Sequence, residues 1–168
     1  MEHLLDVICI PRGTRFPLSD DWKNAVDRLI TIYQTCSAAD REIVRARLAR
    51  DEFHSGLILG TARSESELAV RGSSVECIRR GVWALIIVAQ IEEPRLIKTY
   101  LYLLYHSARK IGEDPVQLFK ELAALSPDPN MSTLLLAIPS FKNVGPAIIG
   151  YGEEIGPDGF RYFKERLV

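Results

Sequence analysis

Between Pro94 and Ile111, the residues Arg95, Thr99, Tyr102, His106 and Arg109 recur at steps of four and three, which lines them along one side of a helix. Two guanidiniums flanking a phenol and an imidazole form a surface suited to an anion, a phosphate ester or an acidic partner. The same spacing belongs to the solvated face of any amphipathic helix. Exposed polar residues outnumber functional ones on most domains, so the plain surface reading outweighs the site reading.

Other groupings are thinner. Asp51 and His54, and again His3 and Asp6, stand three residues apart, a spacing that lets a pair share a metal on one helix face. Catalytic metal sites want three protein ligands, and the His-Glu-x-x-His pattern is absent, so neither a metal nor a cofactor is expected. Cys77 falls in the first turn of a helix beginning near Val75, where unpaired amides and Arg80 favour a thiolate. Glu76 opposes that shift and no general base stands nearby, so Cys77 reads as a small buried hydrophobe. There is no Gly-x-Ser-x-Gly elbow, and Gly56 and Gly60 are not followed by the Gly-Lys-Ser/Thr that cradles phosphate. The arginines from Arg41 to Arg50 radiate around their helix and lack an aromatic stacking platform, which disfavours nucleic acid as a partner.

The elements that carry these residues are predicted to be helical. Trp22, Ala25, Val26, Leu29, Ile30 and Tyr33 repeat at helical spacing behind the acidic cap Ser19-Asp20-Asp21, predicting a helix to about Cys36. Ser37 caps a second helix, from Ala38 to about Arg50, with a thin stripe of Val44 and Leu48. From Val75 to Ala89 apolar residues occupy one face, and Trp83, Ile87 and Val88 the others, as in a helix with neighbours all round. Pro94 to Ile111 follows as its hairpin partner, closed by Gly112 as a C′ residue. Asp114-Pro115 starts the next helix as N-cap and N1, and a short helix is expected from Met131 to Ile138. Residues 1–18 are expected as an N-terminal extended segment, in which the apolar stretch Leu4 to Ile10 forms a short strand or a helical turn. In the Gly/Pro-rich tail 140–168, Pro157-Asp158-Gly159 predicts a β-turn and a hairpin whose Phe160, Tyr162 and Phe163 cover the bundle. The fold class is therefore all-α, a compact multi-helix bundle in one domain, 1–168.

Bulk properties bound the function. Of 168 residues, 47% are hydrophobic and 26% charged, which excludes the compositional regime of disorder. With 21 Lys+Arg against 22 Asp+Glu, no global field draws the chain to nucleic acid or anionic lipid. Three cysteines without a Cys-x-x-Cys pair predict no disulfide framework. The acidic start Met1 to Asp6 lacks the basic region of a signal peptide, and the apolar run Val82 to Ala89 falls short of the ~20 residues a bilayer needs. A cytoplasmic protein that does not engage membranes is expected. Residues spent on apolar faces and caps, with no assembled catalytic set, point to a noncatalytic protein–protein interaction domain or a self-associating one. The alternatives are a small-molecule or anion-binding protein using the Arg95–Arg109 face, and a nucleic-acid-binding helical protein.

Overall fold

A computed structural model describes residues 1–8, 20–49, 75–91 and 94–140. They form α1 (Glu2–Ile8), α2 (Asp20–Thr35), α3 (Ala38–Ala49), α4 (Val75–Val88), α5 (Pro94–Lys110), α6 (Pro115–Leu125) and α7 (Pro129–Ala137), closed by a 3₁₀ turn at Ile138–Ser140. Among the described residues there is no strand, and the fold is all-α. No helix among them is long and apolar enough to cross a membrane. The hairpin expected in the tail, with its three aromatic residues, lies outside the described residues.

The centre of the fold is α4. Ile78 and the unbroken run from Gly81 to Val88 are buried, as a helix apolar on every side requires. It meets α2, α3 and α5, while α5 in turn packs on α6 and on the 3₁₀ turn. Tyr100, Leu101, Leu104 and Ala108 line the inner face of α5, and Leu118, Phe119 and Leu122 that of α6. Helices α6 and α7 then pair with each other.

Helix ends follow local chemistry. Ser37 caps α3: its hydroxyl accepts from the Asp40 N–H at 3.1 Å and donates to the Asp40 carboxylate at 2.7 Å. At the end of α5, Gly112 takes φ +84°, its N–H donates to the Arg109 carbonyl at 3.3 Å, and the Glu113 N–H reaches the Ala108 carbonyl at 3.1 Å. These two bonds make a Schellman motif, which absorbs carbonyls the helix leaves open. The Asp114 carboxylate accepts from the Val116 and Gln117 N–H groups at 3.0 and 3.2 Å, with Pro115 in the first turn of α6.

Two expectations need correction. The segment expected to be extended within 1–18 begins instead with α1, because Leu4, Leu5 and Ile8 bury one face of a helical turn against α2. That tertiary packing outweighs the β-branched bias of Val7, Ile8 and Ile10. Residues 9–19 lie outside the described residues. Helix α7 also starts at Pro129 instead of Met131, because Asp128-Pro129 repeats the device of Asp114-Pro115: the Asp128 carboxylate accepts from the Asn130 N–H at 2.9 Å.

Candidate functional site

The face from Arg95 to Arg109 divides into unlike parts. Arg95 and Arg109 are exposed near the two ends of α5, and at 1.5 Å rise per residue their Cα atoms stand about 21 Å apart. Both side chains lean toward the helix N-terminus, so they do not converge on one small anion. Thr99 is buried, and its hydroxyl donates to the Arg95 carbonyl at 2.9 Å. Tyr102 and His106 do meet, edge to face, with ring centroids 4.3 Å apart. Tyr105 contacts His106 at 5.6 Å and the buried Phe119 at 5.4 Å, so the imidazole belongs to an aromatic seam running from α5 to α6. Burial holds the His106 pKa below its ordinary 6.5, and the nearby charges of Arg109 and Lys110 push it the same way.

Arg41, Arg45 and Arg47, which radiate around α3, tie that helix to other elements. Arg41 donates from Nε to the Tyr33 carbonyl at 3.0 Å and from Nη2 to the Gln34 carbonyl at 3.2 Å, closing the C-terminus of α2, with its guanidinium 5.7 Å from the Tyr33 ring centre. Arg45 pairs with Glu42 at 3.1 Å and donates to Gln90, whose amide donates onward to Asp128 at 3.1 Å. Burial raises the phenol pKa of Tyr33, and Arg45 and Arg41 pull it back. Arg47 reaches Asp6 at 3.2 Å, joining α3 to α1 and committing the acid of the His3–Asp6 pair. Cys77 is half-buried in the first turn of α4. Asp51, His54 and Cys9 lie outside the described residues. Among the described residues, no group of three His, Cys, Asp or Glu side chains gathers to hold a metal.

A different place has the shape of a site. A groove of about 350 Å³ lies between α2 and α4, with Leu125 of α6 also lining it. One wall is Asp27, Ile30, Thr31 and Gln34; the other is Glu76, Arg79, Arg80 and Trp83. Both sets follow the helical spacing i, i+3, i+4, i+7, so each helix offers a two-turn stripe. Of the lining residues Ile30 and Trp83 are buried, whereas Leu125 is 62% exposed. Arg80 pairs with Asp27 of the opposite wall at 2.7 Å, and Arg79 reaches Glu121 of α6 at 3.0 Å. The Arg79 and Gln117 hydrogen bonds hold the Glu121 carboxyl below its ordinary pKa.

Sequence reading missed this groove. Its residues fall in two stretches about fifty positions apart, and neither stripe is apolar enough to stand out alone. The twin spacing was visible; the adjacency of α2 and α4 was not. Comparison with protein-family models, with curated proteins and with solved structures gives no match.

Proposed function

We propose that the chain is a noncatalytic helical interaction domain that receives a protein partner in the groove between α2 and α4. The observation that carries this reading is the largely exposed Leu125 near the buried Ile30 and Trp83, among the polar and charged side chains of both walls. An apolar centre inside a polar rim is the ordinary anatomy of a protein contact, and aromatic and arginine side chains are its usual anchors. The anion-binding reading loses support because Arg95 and Arg109 are about 21 Å apart along α5 and Thr99 is buried between them. The nucleic-acid reading loses support because Arg41, Arg45 and Arg47 are engaged by acceptors within the protein. Cysteines without a disulfide framework favour a reducing, cytoplasmic setting.

The reading is tested by placing a photo-crosslinking amino acid at Thr31, exposed on the groove wall, and as a control at Ala46, exposed on α3. In the native cell, adducts with another protein are expected from position 31 and not from 46. Equal labelling from both positions, or labelling from 46 alone, overturns it.

A further inference from the structure

We infer that α3 is a lid held on the bundle by charge: it opens as a unit over α4 while the other helices stay folded, and ionic strength sets how often. Apolar packing supplies little of its hold. Of its twelve residues only Val44 and Leu48 are buried, and Ile43, its other large apolar side chain, is 54% exposed. In α4, by contrast, nine of fourteen residues are buried. A helix of this length is marginal without tertiary support, and one with so few buried apolar groups belongs to the low end of local opening free energies.

Charge supplies the rest, through three arginines that reach three separate places. Arg41 donates to the Tyr33 and Gln34 carbonyls, where the C-terminus of α2 carries partial negative charge. Arg45 donates to Gln90, just beyond α4, and Gln90 donates on to the Asp128 carboxylate at the N-cap of α7. Arg47 pairs with Asp6 of α1 at 3.2 Å, with 40% and 63% of the two side chains exposed. Ties this open to water are weak singly and are screened by salt, the Debye length falling from about 10 Å at 0.1 M to about 3 Å at 1 M. Burial of Val44 and Leu48 is not loosened by salt, so ionic strength separates the two ways of holding the helix. Because Gly81 to Val88 are enclosed on every side and α3 is one of their neighbours, lifting α3 bares apolar side chains of α4.

The experiment is hydrogen–deuterium exchange of the whole chain at low salt and at about 1 M NaCl, read peptide by peptide by mass spectrometry. The central amides of α3 are expected to exchange faster than those of α4 in both. Their protection should fall by about tenfold at high salt, the order expected when two or three weak ties are lost together, while α4, α5 and α6 keep theirs. Arg45→Met and Arg47→Met should each speed exchange in α3 at low salt and shrink its salt response, and Arg109→Met on α5 should do neither. Protection of α3 equal to that of α4, or unchanged or increased by salt, would overturn the lid. So would a loss shared equally by α3, α4 and α5, because α3 would then open only with the whole fold. The wild-type salt series decides between these outcomes even where an arginine variant unfolds the chain.

Discussion

His106 shows how one side chain can look functional and behave structurally. Its imidazole is half-buried against Tyr102 and Tyr105, and burial followed by Arg109 and Lys110 lowers its pKa from 6.5. The folded chain thus binds this proton less tightly than the unfolded chain does. The contribution to stability is complete above the unfolded value near 6.5, shrinks as pH falls, and is gone once pH passes below the folded pKa. Denaturant midpoints should therefore fall on acidification across that window, and His106→Gln should flatten the slope; an NMR titration placing the imidazole at or above 6.5 would contradict this. Thr99 teaches the complementary lesson. Its hydroxyl is satisfied by the carbonyl of Arg95, as that of Ser107 is by Leu103 at 2.8 Å, so either residue can sit in a core at little cost. A hydroxyl that bonds to its own helix looks the same in sequence whether it faces water or the interior, which is why the polar stripe of α5 was drawn too wide.

Helices were the most legible level. The bounds of α2 to α6 follow from apolar spacing together with caps whose hydrogen bonds are present, at Ser37, Gly112 and Asp114. What failed was a short element held by tertiary contact, α1, and a cap that apolar spacing does not reveal, at Asp128-Pro129. Gly112 gives the sharpest test at this scale. At φ +84° an added Cβ meets nothing within 4 Å, so the strain of Gly112→Ala is confined to the backbone and should cost about 1 kcal/mol. Gly112→Asn should lose less, because asparagine tolerates the left-handed region. Urea unfolding separates the two, and equal midpoints for Ala and Gly would refute the assignment.

At the scale of the molecule, α4 takes part in the central core and also forms one wall of the groove. Leu85 is fully buried in it, and Leu85→Ala should cost about 2–5 kcal/mol by lost transfer energy and the cavity left behind. Ile43, 54% exposed on α3, should change stability by no more than about 0.5 kcal/mol when cut to alanine. Calorimetry on the two variants checks the contrast. The sequence already marked α4 as apolar all round, but pairwise adjacency depends on contacts between distant segments, such as Arg80 with Asp27 and Arg79 with Glu121. Neither periodicity nor capping carries that information. Enclosure from Gly81 to Val88 has an evolutionary corollary. An amphipathic helix drifts freely on its wet side and conservatively on its dry one, whereas this stretch has no lenient side. Change there must come as compensated swaps with α2, α3 or α5, leaving the partly exposed turn upstream, at Glu76, Arg79 and Arg80, as the part of the same helix that varies at least cost to the core.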